Sequence, residues 1–70
     1  MKLHAYTKSE LARLYFPGSA VHVATNRLSR WIARNEELQE ALQATGYQPR
    51  NRCLTARQVQ LIVHFLGEPD

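Results

Sequence analysis

Apolar and polar residues alternate over Ser19–Asn35 with the period of an amphipathic helix. The apolar positions recur at helical spacing, at Val21, Ala24, Leu28, Trp31 and Ile32. Arg27, Arg30 and Arg34 fall about 90 to 150 degrees from that stripe, at roughly 100 degrees per residue. The spacing therefore predicts a helix with a buried side and an arginine side, with Ser19 as its cap.

Two segments carry the capping-box pattern that starts a helix. Thr7 is followed in the third position by Glu10, and Thr55 is followed at the same distance by Gln58. In each box the threonine hydroxyl can accept a hydrogen bond from a helix amide, while the longer side chain reaches back to the threonine amide. The pattern predicts that a helix begins after each threonine.

Proline, asparagine and glycine mark the other helix boundaries. The first helix is expected over about Lys8–Tyr15, because Pro17 disfavours a helical residue before it. Asn35 is expected to cap a third helix that closes at Gly46 in a Schellman-type end. The fourth helix, Ala56–Leu66, is apolar over most of its circumference, so we expect it at the centre of the core.

The same pattern predicts which other side chains are buried. Apolar residues with helical spacing supply inward faces to the first and third helices: Leu11, Leu14 and Tyr15, then Leu38, Ala41 and Leu42. Cys53 is expected to be a small buried apolar residue. A single cysteine cannot form an internal disulfide, which fits a reducing compartment.

These elements predict one mostly α, compact, four-helix domain of helix-turn-helix type over residues 1–70. A composition that is 44% hydrophobic and 21% charged argues against disorder. Residues 2–6 and 50–54 could each be extended and could pair as a short two-stranded β ribbon. Helix caps would explain the ends of these segments equally well.

The net charge of +3 hides an uneven distribution. Residues 1–34 hold six basic residues against Glu10, for a charge of +5, whereas residues 35–49 hold three glutamates and no base, for −3. Residues 50–70 add +1. A basic half beside an acidic helix indicates either a surface that binds polyanions or two surfaces that pair between copies.

Catalysis has little support in the sequence. His4, His22 and His64 are scattered and have no cysteine or carboxylate at metal-ligand spacing. No glycine-rich loop that could hold a phosphate is present. We therefore expect no enzyme activity, cofactor, metal or small-molecule substrate. No apolar run has the length of a signal or membrane-spanning segment, so a cytoplasmic protein without a membrane partner is expected.

Nucleic-acid binding is the function best supported by particular side chains. Arginine binds phosphates bidentately, and a helix in a major groove can present such residues to bases. The basic loop Arg50–Arg52 could act as a wing against the DNA backbone. The candidate contact residues are Asn26, Arg27, Ser29, Arg30, Arg34, Arg50 and Arg52. A helix face that only contacts water would contain similar charges. The sequence therefore supports a solvated face about as well as a face that binds nucleic acid.

The leading hypothesis is a small DNA-binding accessory or regulatory protein that contacts double-stranded DNA through its second helix. The alternative is a non-catalytic protein–protein interaction module or a homo-oligomer. In that alternative the basic helix 20–34 would pair with the acidic helix 36–44 of another copy.

Two resemblances accompany these patterns. Glu10-Leu11-Ala12, Trp31-Ile32 and the segment 54–59 resemble the helix-turn-helix of MerR-like regulators and excisionases. That resemblance implies DNA binding, with the helix that contains Arg27 and Arg30 as the reading helix. The chain departs from that pattern, because the interval between Ala12 and Trp31 is longer than the motif usually has.

The second resemblance covers almost the whole chain. The motifs that carry it are ELAxLYFP from Glu10, Trp31-Ile32, Gly46-Tyr47, LTxxQVxLI from Leu54, and LGEP from Leu66. Together they resemble a family of short proteins from gut anaerobes that is catalogued as a domain of unknown function. This resemblance implies no catalytic residues.

Overall fold

A computed structural model describes residues 2–69 of the chain. Its elements in chain order are β1 Tyr6–Thr7, α1 Lys8–Tyr15, α2 Val21–Arg34, α3 Glu36–Gln43, β2 Cys53–Leu54 and α4 Ala56–Leu66. The prediction of a mostly α fold with four helices and a short antiparallel ribbon is confirmed.

Both predicted capping boxes are present. The amide of Glu10 donates to Thr7 Oγ1 at 3.1 Å, and the amide of Thr7 donates to Glu10 Oε1 at 2.8 Å. The same reciprocal pair joins Thr55 and Gln58 at 3.2 and 3.0 Å. These bonds satisfy amides that have no partner within their helices, so α1 and α4 start where their sequences predict.

The start of α2 differs from the prediction. Its N-cap is Ala20, and no side chain makes a capping hydrogen bond there, so the assignment of Ser19 as the cap was wrong. The predicted cap at Asn35 is confirmed, because Asn35 Oδ1 accepts from the amide of Leu38 at 3.0 Å. Helices α2 and α3 therefore meet at a sharp bend on one residue.

The end of α3 has the predicted Schellman form. Gly46 has a φ of +85°, and the amide of Tyr47 donates back to the carbonyl of Leu42 at 3.2 Å. Tyr47 is buried in the core beyond this turn. The turn thus directs residues 48–52 back towards the start of α1.

The ribbon decides the environment of Cys53. Tyr6 pairs with Leu54 and Thr7 pairs with Cys53. Successive side chains of a strand point to opposite faces, and Leu54 takes the inward position with 1% of its surface exposed. Cys53 consequently faces outward and is exposed, so the expectation that it is buried was wrong.

The core lies between the helices and the ribbon. Its buried apolar residues are Leu11, Ala12, Ala24, Leu28, Ile32, Leu38, Leu42, Tyr47, Leu54, Val59 and Ile62. Besides Cys53, three helix residues expected inside are exposed: Leu14, Val21 and Trp31. The fourth helix buries Gln58, Val59 and Ile62, whereas Ala56 is exposed. Its remaining apolar residues are half-buried at the edge of the core: Leu61, Val63, Phe65 and Leu66. A chain this short has too little surface to cover the apolar face of every helix.

Two long-range hydrogen bonds connect the helices around this core. The Gln58 amide nitrogen donates to Thr45 Oγ1 at 3.0 Å, and the Tyr15 hydroxyl donates to the carbonyl of Gly67 at 2.6 Å. No buried side-chain nitrogen or oxygen in the described residues lacks a partner. None of the described helices is long and apolar enough to cross a membrane.

Candidate nucleic-acid interface

A groove of roughly 750 Å³ runs between α2 and the loop that precedes β2. Four polar side chains of α2 line one wall: His22, Thr25, Asn26 and Ser29. The other wall is the loop 49–52. The groove therefore brings two predicted contact residues of the helix, Asn26 and Ser29, beside the two predicted contact residues of the loop, Arg50 and Arg52.

The wall formed by α2 follows from helical spacing. Positions 22, 25, 26 and 29 occupy an arc of about 100 degrees on a helix. The buried residues Ala24, Leu28 and Ile32 form a stripe centred about 110 degrees from that arc, and they hold their face of α2 against the core. Packing of that apolar stripe therefore turns the four polar side chains towards the loop 49–52.

Lys8 holds the loop in place. Its Nζ donates to the carbonyl of Pro49 at 2.9 Å, and its backbone amide donates to the carbonyl of Arg52 at 2.7 Å. The side chain is 7% exposed and lies 5.6 Å from the ring centroid of Tyr47, a cation–π distance. Lys8 thus connects the first turn of α1 to both ends of the basic segment.

The charged side chains of the groove are all basic. Lys8, Arg50 and Arg52 line it, and no aspartate or glutamate belongs to its lining. The Nε of Arg50 donates to Gln48 Oε1 at 2.9 Å, which orients one guanidinium without neutralising it. A concave surface with charge of one sign concentrates anionic ligands.

The other predicted contact residues lie on a different side of α2. Arg27, Arg30 and Arg34 are exposed and surround a shallow depression with Phe16 and Trp31. The guanidinium carbon of Arg27 lies 5.8 Å from the Phe16 ring centroid, and the Phe16 and Trp31 rings meet edge to face at 4.8 Å. We call these five residues the arginine–aromatic face.

The predicted site is therefore divided between two surfaces. Asn26, Ser29, Arg50 and Arg52 belong to the groove, whereas the three arginines of α2 belong to the arginine–aromatic face. Arg30 is the arginine nearest to the groove, because it lies roughly 40 degrees from Asn26 on the helical wheel. The two surfaces are thus neighbouring faces of one helix.

Sequence reasoning missed several groove residues, among them His22, Thr25 and Lys8. His22 and Thr25 share the helical face of Asn26 and Ser29, so their spacing could have identified them. Lys8 had no such signal, because its contact to Pro49 spans 41 positions. Across the described part of the chain, no three histidine, cysteine or carboxylate side chains are placed to hold a metal ion.

Comparison with known proteins identifies a family without indicating a function. The family defined by a domain of unknown function, DUF4248, matches residues 2–69. The match covers every element described above, from β1 to α4. No curated protein and no solved structure matches the chain significantly.

Proposed function

The chain belongs to the DUF4248 family, and from its own surfaces we propose that it is a small, non-catalytic protein that binds double-stranded DNA. Helices α1 and α2 would act as a helix-turn-helix, with α2 as the reading helix. The loop 49–52 would act as a wing. Because the proposed protein binds DNA and catalyses no reaction, we propose an accessory or regulatory role for it.

The groove is the observation that carries this proposal. Hydrogen-bonding side chains of α2 and arginines of a distant loop converge on one concave surface that contains no acidic residue. A purely solvated helix face would not require a second basic segment to be held opposite it. Lys8 and its two hydrogen bonds hold that segment in position.

The chemistry of each wall suits a different part of DNA. Asn26 has the amide that pairs bidentately with adenine in a major groove, and Ser29 can donate to or accept from a base edge. Arg50 and Arg52 present the planar forks that bind phosphate oxygens. Arg27 and Arg30 lie on the neighbouring face of α2, where they would contact phosphates or bases of the same major groove, because a helix about 10–12 Å wide fills a major groove about 12 Å wide.

The test is a salt titration of binding to mixed-sequence duplex DNA, followed by fluorescence anisotropy. Binding by phosphate contacts should weaken as salt rises, with a log–log slope near −0.9 per phosphate neutralised. A folded chain without salt-sensitive duplex binding, even at low ionic strength, would refute the proposal. Equal binding to single strands would refute the reading-helix geometry.

The double variant R50A/R52A identifies the wing. It should lower affinity for all duplexes alike and reduce the magnitude of the slope by about two units, because phosphate contacts carry no sequence information. The matched control is Arg57→Ala, which removes an exposed arginine of α4 outside the groove. Unchanged binding by the double variant, with its melting curve intact, would exclude the loop as a wing.

A further inference from the structure

A third surface lies where α2 bends into α3, and it shares Trp31 and Arg34 with the arginine–aromatic face. It is a depression of roughly 610 Å³ lined by Trp31, Arg34, Asn35, Glu36, Glu37 and Leu66, which we call the bend surface. Trp31 keeps 40% of its surface exposed although it packs against Phe16. The bend surface and the groove have no lining residue in common.

The bend surface has the composition of a protein interface. It combines a large exposed aromatic side chain, the half-buried Leu66 and a surrounding set of charges. Tryptophan and arginine are enriched at the energetic centres of interfaces, and charged residues commonly form the rim. Trp31 would supply the centre and the residues at the bend would supply the rim.

The charges of the bend surface indicate which partner fits. Arg34 lies on one side of the bend, and the exposed Glu36 and Glu37 lie on the other. In a two-fold dimer the same patch faces itself, so it must carry both charges of every pair. A two-fold axis near Trp31 places Arg34 of each copy opposite the glutamates of the other copy. We propose that the chain forms a two-fold homodimer through the bend surface.

This dimer does not depend on DNA binding. A standard interface of about 800 Å² per partner would cover roughly a sixth of the 4735 Å² that the chain exposes. The groove lies outside the bend surface, so both grooves would remain accessible in the dimer. If the chain does bind DNA, the dimer would present two reading helices related by a two-fold axis.

The test is sedimentation equilibrium of the full chain over a concentration series, with reciprocal charge reversals. Arg34→Glu and Glu37→Arg should each raise the dimer dissociation constant at least about tenfold, because each places like charges opposite one another. An equimolar mixture of the two variants should recover association, since their patches are complementary. Arg57→Glu, a charge reversal on α4, should dimerise like the wild type.

Three results would overturn the proposal. The first is a wild-type chain that remains monomeric at every concentration. The second is R34E association equal to that of the wild type, or a mixture that fails to recover dimer while circular dichroism shows both variants folded. The third is open-ended growth beyond a dimer, which indicates a head-to-tail contact instead of a two-fold one.

Discussion

The Nζ of Lys8 donates a hydrogen bond to the carbonyl of Pro49 at 2.9 Å, across 41 positions of the chain. The amide of the same lysine bonds the carbonyl of Arg52 at 2.7 Å. A single residue within the first capping box therefore holds the basic loop against the start of α1. The shape of the groove depends on that contact.

Replacing Lys8 with methionine should loosen the loop while keeping an apolar side chain of similar length. The lost hydrogen bond should lower the free energy of unfolding by about 1 kcal/mol. Amide exchange at Asn51, which donates to the carbonyl of Gln48, should accelerate. Lys2→Met removes an exposed lysine and serves as the control. Unchanged amide exchange at Asn51 in K8M would mean that the loop keeps its conformation without the Lys8 side chain.

Replacing Thr55 with alanine should destabilise the chain by about 0.5 to 2 kcal/mol, because the amide of Gln58 loses its capping oxygen. For a domain of this size, each kcal/mol corresponds to roughly 4 to 8 °C in melting temperature. Ser19→Ala is the matched control, since Ser19 makes no capping bond to α2. Equal melting temperatures for the two variants would contradict the assignment of these caps.

Tyr15 should make stability sensitive to alkaline pH. Partial burial, with a smaller effect of Glu68, raises the pKa of the Tyr15 hydroxyl from 10.0 to about 12. Between these values the unfolded chain releases a proton that the folded chain retains, so the free energy of unfolding falls as pH rises. The contribution is fully present below pH 10.0 and is lost as pH rises through about 12.

Tyr15→Phe separates this titration from that of other groups. The variant also loses the hydrogen bond to Gly67, so it should be less stable than the wild type by about 0.5 to 1.5 kcal/mol at neutral pH. Urea unfolding at a series of pH values should show this difference shrinking above pH 10. A constant difference up to pH 12 would exclude Tyr15 as the titrating group.

Arg30→Ala tests the face of α2 next to the groove. If Arg30 contacts a phosphate, the salt dependence of DNA binding should lose about one unit of slope. If it reads guanine, the loss should be about 1 to 3 kcal/mol on the preferred sequence alone. The exposed position of Arg30 predicts an unchanged melting curve. Wild-type DNA binding by R30A would restrict the DNA contact to the groove.

The sequence was a sufficient guide wherever an interaction is local. The capping boxes at Thr7 and Thr55 each close within four residues, and the Schellman turn at Gly46 closes within six. Helical spacing also identified Leu28 and Ile32 as buried. Such signals act before the chain folds, because their partners are already neighbours.

Only the tertiary structure determined which side chains of each helix and strand are covered by the rest of the chain. Leu14 and Trp31 have the spacing of buried residues, but 70 residues provide too little chain to cover them. Ribbon pairing at Tyr6 and Leu54 set the environment of Cys53, since a shift of one position would exchange inside and outside.

The candidate site likewise combines features that the local sequence predicted with a contact that only the tertiary structure shows. The sequence identified the polar face of α2 at Asn26 and Ser29 and the basic loop at Arg50 and Arg52 as separate candidates. Only the fold brought them to one groove, through a contact of Lys8 that has no local signature. A contact between residues 41 positions apart depends on the packing of everything between them, and no spacing rule reports it.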